Sequence, residues 1–551
     1  QAVRACMDRQ YGARAAGSVV PAPPFPSQCH HCARPPAAGW LSGMTTPPLR
    51  PRRRRSLLRA AVAALLSAAP LLVPVPAQAA PREAPVLDRA TADRFVRDHL
   101  ARTGVPGATV TVTRGDRVVL AAGYGHTAAG EPMTARTPVP VASLSKAMTA
   151  LAVTTLAAEG RVDLDAPVRD QLPEFAPDDT RAARITPRQL LDQTSGMADS
   201  THPDLALPQP STLKAAVAAL HGTRLATDPG TAWHYHNTNY AVAARLVETA
   251  TGTPYAEHLR RSLFAPLGMT GTGTVDTTAD MPDGARGYVR AYGRTIERAH
   301  PRLFTAGGFG VVSTADDLGK WLIAQHTEGT SATGRRAAPA EAVRLTRTPP
   351  PGQTYAMGWN RREEQGQPLR IEHTGSLFTH NSMATLLPAS GVGIAVVTNT
   401  GMVSGDDAPL LVDGLVDLAE GRTPADRAPF TDTADPVLGL LSLLALGLAV
   451  RGVLRAGRWA RRPWRGLTRP AARLAPYLLP GLLLLGLPDL FGLLMGRAGT
   501  LAQITYVWPA LFLWSATTAL AATAVLAARG IALFRVRRGR AAGDGTAADG
   551  A

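Results

Sequence analysis

Residues 141–160 read VASLSKAMTALAVTTLAAEG. The stretch opens with two serines and a lysine, continues apolar at helical spacing and stops at Gly160, which is the pattern of a helix with its C-terminal signal. Ser143 and Lys146 stand three positions apart, so a helix start sets both side chains on one face, one turn apart. There an amine can take the hydroxyl proton, provided burial or a second cation lowers its proton affinity. A helix N-terminus also offers backbone N–H groups where an oxyanion would form. The lysine is conspicuous: the 551-residue chain has three, Lys146, Lys214 and Lys320, against 55 arginines. A lysine within a buried helix is costly unless it is used or paired.

The same spacing recurs at Ser211 and Lys214. Ser211 follows Pro208 and Pro210 and opens TLKAAVAAL, where a serine before a helix reads as an ordinary N-cap. Lys214 is expected on the solvated face of that helix. The structural reading therefore stands for Ser211, and the chemical one for Ser143.

Outward from the serine, residues 107–125 read GATVTVTRGDRVVLAAGYG, two β-rich runs about a Gly115-Asp116 turn, hence a hairpin. The embedded Arg-Gly-Asp is explained by that turn and carries no adhesion reading. Residues 381–400, NSMATLLPASGVGIAVVTNT, form a second strand pair about a glycine-containing turn. Strands at both ends with helices between predict one mixed α/β domain over 85–425, an antiparallel sheet flanked by helices.

Net charge divides the chain. The total is +16, of which residues 1–79 hold +9 and 436–551 hold +11, leaving −4 for the middle. The basic charge lies on the flanks, so no nucleic-acid partner is expected. Cys6, Cys29 and Cys32 are the only cysteines. The CHHC at 29–32 lacks a second ligand pair, so no metal site is read from it. Residues 1–43 are expected to be a non-native or disordered extension. Residues 44–79 carry a positive run (Arg50, Arg52 to Arg55), an apolar run (Ala60 to Val73) and the small-x-small Ala77-Gln78-Ala79, the parts of a secretory signal peptide.

Three apolar runs follow the middle domain, 436–454, 475–495 and 504–528, each near the roughly 20 residues that span a bilayer. Residues 451–473 hold eight arginines and no acid, residues 529–551 form a basic tail, and the loop between the second and third runs holds only Arg497. The positive-inside rule puts the first loop and the C-terminus in the cytoplasm and residue 435 outside, as the signal peptide also requires. Asp489 reads as a solvated interfacial carboxylate.

Two further motifs stand in order behind Ser143. Tyr235-His236-Asn237 lies in DPGTAWHYHNTNYAVAARLVE, 92 residues on, and His373-Thr374-Gly375 lies in IEHTGSLF, a further 138 on. The order S-x-x-K, Y-x-N, H-T-G resembles the serine β-lactamase-related family, which includes class C β-lactamases, D-Ala-D-Ala carboxypeptidases, D-amino-acid peptidases and some esterases. ITPRQLLDQTSGM at 185–197, AGGFGVVSTADDL at 306–318 and YAMGW at 355–359 are similar to the family too.

The resemblance covers roughly 85–425 and implies a β-lactamase/transpeptidase-like fold with an all-helical part beside the sheet, followed by three transmembrane helices. It implies Ser143 as acylated nucleophile, Lys146 as proton acceptor and Tyr235 as proton relay. Asn237 would bind the substrate amide and Lys146. The backbone N–H groups of Ser143 and Ser376 would form the oxyanion hole, with His373, Thr374 and Gly375 also at the substrate. Many β-lactamases of the family carry lysine where this chain has His373, and a histidine supplies less positive charge there at neutral pH.

The function expected is a membrane-anchored extracytoplasmic serine hydrolase, acting as a peptidase or carboxypeptidase on D-amino-acid-containing peptides, of cell-wall or prodrug-activating type. Prodrug-activating D-amino-acid peptidases also pair this domain with three C-terminal spans. β-Lactamase or esterase action is the alternative, and a non-hydrolytic penicillin-binding-like sensor or transport accessory is a third reading. The expected partners are a small peptide, β-lactam or ester substrate and the membrane, and no cofactor or metal is expected.

Overall fold

The computed structural model describes residues 87–401 and 405–548. The extension expected at 1–43 and the signal peptide expected at 44–79 lie outside the described residues. A seven-stranded antiparallel sheet organises the part of the chain before the apolar segments. Its strands are β1 (Gly107–Arg114), β2 (Arg117–Gly125), β3 (Tyr355–Ala356), β4 (Trp359–Arg362), β5 (Arg370–Leu377), β6 (His380–Leu387) and β7 (Val392–Thr398), in spatial order β2-β1-β7-β6-β5-β4-β3. The expected hairpin is present: Arg114 pairs with Arg117 across Gly115-Asp116. β1 then pairs with β7, so the first and last strands of this sheet lie side by side within it.

Both faces of this sheet are covered. Helices α1 (Arg89–Thr103) and α5 (Asp407–Ala419) seal one face around Val110, Val112, Ile394, Val396, Leu411 and Leu415. The other face meets helix α4 (Ala315–His326) and the larger core beyond it, which holds α2 (Ser145–Ala158) and α3 (Asn237–Thr251). Eleven of the fourteen residues of α2 are buried. Its alanines and threonines let neighbours approach from every side, as a helix apolar all round requires. The second Ser-Lys pair differs from expectation in one detail. Thr212, not Ser211, caps the helix Leu213–Ala218, its Oγ1 accepting from Ala215 N at 3.1 Å. Lys214 is exposed, as expected.

The C-terminal part is helical: α6 (Thr431–Leu454), α7 (Leu479–Leu485), α8 (Leu487–Met495), α9 (Leu501–Val507) and α10 (Pro509–Ala548). Thr431–Leu454 and Pro509–Arg540 are each long and apolar enough to cross a membrane. Thr468–Leu485 and Leu487–Leu494 give a third crossing if their 56° bend counts as one broken span. The bend falls at Gly486 and Pro488, a pair that interrupts the helical ladder. Leu440, Leu443 and Leu448 on α6 are 60–68% exposed, a surface suited to lipid rather than water.

The third apolar run is divided. Pro509 pushes Trp508 into extended backbone (φ −148°, ψ 77°), so the long helix starts at Pro509 and 504–507 belong to α9. Helix α9 lies against the sheet-bearing part: Arg298 donates to Thr505 O at 2.9 Å and Tyr506 OH donates to Ala299 O at 3.1 Å. Asp435 joins the same junction, accepting from Tyr292 N and Trp508 Nε1, both at 2.8 Å.

Candidate active site

Ser143 sits in a 3-10 turn, Ala142–Leu144, that leads directly into α2. Ala142 holds φ at +50°, a left-handed value that costs a non-glycine residue roughly 1 kcal/mol or more. The surroundings enforce it. Ser145 Oγ donates to Ala142 O at 2.6 Å and accepts from Val311 N at 3.0 Å, and Ser382 Oγ donates to Val141 O at 2.7 Å. β5 passes so close that a Cβ on Gly375 would stand 2.2 Å from Ser382 Oγ and 2.8 Å from Val141 O. The glycine of the H-T-G motif is therefore a packing requirement of the serine turn.

Lys146 is fully buried. Its Nζ lies 3.1 Å from Ser143 Oγ, 2.8 Å from Asn237 Oδ1 and 3.0 Å from Gly308 O. Tyr235, Tyr240 and Phe309 present their rings to it at 4.9, 5.5 and 5.9 Å. Among the described residues no carboxylate lies within ion-pair distance. Burial, with the guanidinium of Arg497 adding to it and Asp204 opposing, holds its proton affinity well below the usual lysine value. A neutral amine has two N–H groups and one lone pair. Asn237 Oδ1 and Gly308 O can take the two N–H groups, which leaves the lone pair facing the Ser143 hydroxyl. Tyr235 OH donates to Ser143 Oγ at 3.0 Å, so the serine oxygen stands between a base and a phenol.

The local sequence explains how these groups meet. His236 is extended and Asn237 begins α3, so the middle residue of Y-x-N turns inward. His236 is buried; its Nε2 pairs with His202 O at 2.8 Å and its N–H donates to Gln193 Oε1 at 3.0 Å. Gln193 belongs to the 185–197 stretch, which thus holds the tyrosine loop. Tyr355, from YAMGW, packs against both Tyr235 and His373, with ring centroids 6.2 and 5.8 Å apart.

The H-T-G strand divides by face. Thr374 and Ser376 line the same cavity as Ser143, Tyr235 and Asn237. His373 lies behind them, 2% exposed, and its Nδ1 meets Thr374 O at 2.5 Å. Burial, with Lys146 adding to it when that amine is protonated, outweighs the bond to Thr374 and brings its pKa down to about 3. A ring so placed is neutral at pH 7 and offers a substrate carboxylate no charge.

The cavity has a volume of about 180 Å³ and two walls. The catalytic half supplies the first, and Phe491, Arg497, Gln503, Ile504 and Val507 of the C-terminal part supply the second. Arg497 is the residue that motif reading missed. Its Nη2 meets Asp204 Oδ1 at 2.7 Å and its Nε meets Asp199 Oδ2 at 3.1 Å. The available signal was its position as the one cation in a loop between apolar runs. Asp199, Asp204 and His236 are close enough together to hold a metal ion, but the guanidinium of Arg497 supplies the positive charge there.

Comparisons with known proteins bear on family and fold. The Beta-lactamase family model matches residues 92–413. Penicillin-binding protein 4 of Amycolatopsis lactamdurans is 31% identical over 342 residues, 59% of this chain and 89% of that protein. Protein flp of Staphylococcus aureus strain N315 is 26% identical over 328 residues, and the match spans 59% of this chain and 65% of the length of that relative. The octameric penicillin-binding protein homologue from Pyrococcus abyssi shares the fold, with a TM-score of 0.52 and 23% identity over 64% of this chain and 81% of that one. The chain belongs to the Beta-lactamase family of serine hydrolases.

Proposed function

We propose that the protein is a membrane-anchored, extracytoplasmic serine hydrolase that cleaves D-amino-acid-containing peptides through an acyl-enzyme. The observation that carries this reading is the bonding of Lys146: two carbonyl oxygens for its N–H groups and the Ser143 hydroxyl for its lone pair.

Ser143 Oγ attacks the substrate carbonyl carbon as its proton passes to Lys146. The carbonyl electron pair moves onto oxygen, which the backbone N–H groups of Ser143 and Ser376 receive. Collapse of this adduct breaks the C–N bond, and the departing amine takes a proton relayed through Tyr235. Water then adds to the acyl ester, gives its proton back through Tyr235 and Lys146, and releases the acid and free Ser143. Asn237 holds Lys146 and meets the substrate amide. The neutral state of His373 supports peptides over ligands that need a cation at the third motif. The arginine-rich 451–473 loop supports an extracytoplasmic catalytic half.

The test uses the full chain in detergent or nanodiscs, offered D-amino-acid peptides, a chromogenic cephalosporin and a simple aryl ester. Release of D-amino acids as the fastest turnover is expected. Tyr235→Phe should lower that turnover by roughly 10²- to 10³-fold, the scale of a lost proton relay. Rapid ester or cephalosporin turnover with no D-amino acid released would contradict the substrate assignment. A stable acyl-enzyme with no turnover would instead favour a sensor.

A further inference from the structure

Arg497 is the only basic residue between Arg473 and Arg529. An arginine in the outer loop of a membrane segment ordinarily faces water or lipid headgroups. Here its side chain is 11% exposed and directed at two carboxylates of the catalytic half, whose side chains are 6% and 11% exposed. The neighbouring backbone joins in: Ala498 N donates to Asp199 Oδ2 at 3.0 Å, and Gln503 Nε2 donates to Leu205 O at 2.7 Å.

The second oxygen of Asp204 accepts from Asn237 N at 3.1 Å, and Asn237 Oδ1 accepts from Lys146 Nζ at 2.8 Å. A continuous path therefore runs from Arg497 through Asp204 and Asn237 to Lys146 and Ser143. On its other side the guanidinium stands 5.7 Å from the centre of the Tyr235 ring. Arg497 thus stands beside Tyr235 directly and reaches Asn237 through Asp204.

We propose that Arg497 is a positioning residue of the serine site, seating Asn237 and Tyr235 around Lys146 through Asp204, so that the membrane segment and the catalytic half make one active site. The proposal rests on Ser143 being the nucleophile. Without the guanidinium, Asp199 and Asp204 become two neighbouring carboxylates that repel. Asp204 is then no longer held on the Asn237 N–H. The charged and titratable groups facing Lys146 are Tyr235, Tyr240, His373, Asp204 and Arg497. Arg497 disfavours a proton on Lys146 and Asp204 favours one. Removing either therefore moves the pH at which the amine is lost, in opposite directions.

The experiment is phosphonylation of the full chain by a fluorophosphonate across pH, the serine oxygen displacing fluoride from phosphorus, read as adduct on the Ser143 peptide by mass. Arg497→Gln should label at least about tenfold more slowly, with the acid limb moved to higher pH. Arg497→Lys should bring the limb back while staying slow, because an ammonium cannot fork across two carboxylates. Arg298→Gln, which cuts a contact between the same two parts outside the cavity, should leave the limb in place. Should Arg497→Gln fail to fold, Asp204→Asn carries the test, with the limb expected to move down. An Arg497→Gln protein with the wild-type rate and limb overturns the proposal. So does a rate loss that only follows the folded fraction with the limb unmoved, or an unmoved limb in Asp204→Asn. Absence of adduct on Ser143 in the wild type would overturn the nucleophile assignment instead.

Discussion

A guanidinium at position 146 would stay protonated at any pH the protein meets. On the proposed mechanism, a lysine at this buried position answers a chemical need in a chain that uses arginine for 55 of its 58 Lys and Arg residues. Lys146→Arg should therefore cut Ser143 acylation by roughly 10²- to 10⁴-fold, the range lost with a general base, measured as the second-order labelling rate. A loss smaller than tenfold would remove the lysine from the role of base. His373 makes a different prediction. Its folded pKa is about 3, against roughly 6.5 in an unfolded chain. Between those values the unfolded state holds the extra proton, so this ring costs stability as pH falls through that window. The thermal midpoint of His373→Asn should fall less between about pH 7 and pH 4 than that of the wild type. Equal falls would show that the ring is not held neutral.

At the scale of elements, close backbone approaches set the site. Gly358 has φ +89°, and a Cβ there would stand 2.5 Å from Ala147 N, against the first turn of α2. Gly358→Ala should displace the lysine-bearing turn and lower acylation more than tenfold, with a reduced thermal midpoint; unchanged labelling would show that the turn is set elsewhere. Much of this was legible in the sequence. The Gly115-Asp116 hairpin, the helix ending near Gly160 and the strand pair over 381–400 follow from period and turn chemistry. Other features were not. Apolar composition ran straight through Gly486 and Trp508, where local backbone chemistry breaks the helices. The cap at Thr212 rather than Ser211 is a one-residue choice between two competent hydroxyls. The motif residues Ser143, Lys146, Tyr235 and Asn237 meet within hydrogen-bond reach. Arg497 stood out as the one cation of its loop, but its pairing with Asp199 and Asp204 was not legible because it joins positions almost 300 residues apart.

For the whole molecule, we propose one insertion from the flanking positive charge and the apolar segments: catalytic half outside, arginine-rich loop and tail inside. A single-cysteine pair tests this. With Cys6, Cys29 and Cys32 replaced, Ser211→Cys should react with an impermeant maleimide on intact cells, and Arg462→Cys only after the membrane is opened. The reverse pattern would invert the topology and put the serine on the cytoplasmic side. The central claim, that Ser143 and not the look-alike Ser211 carries the chemistry, is tested most directly by mapping the fluorophosphonate adduct on the full-length protein by peptide mass. The adduct should lie on Ser143, vanish in Ser143→Ala and persist in Ser211→Ala. An adduct on Ser211, or one undiminished in Ser143→Ala, would contradict the account.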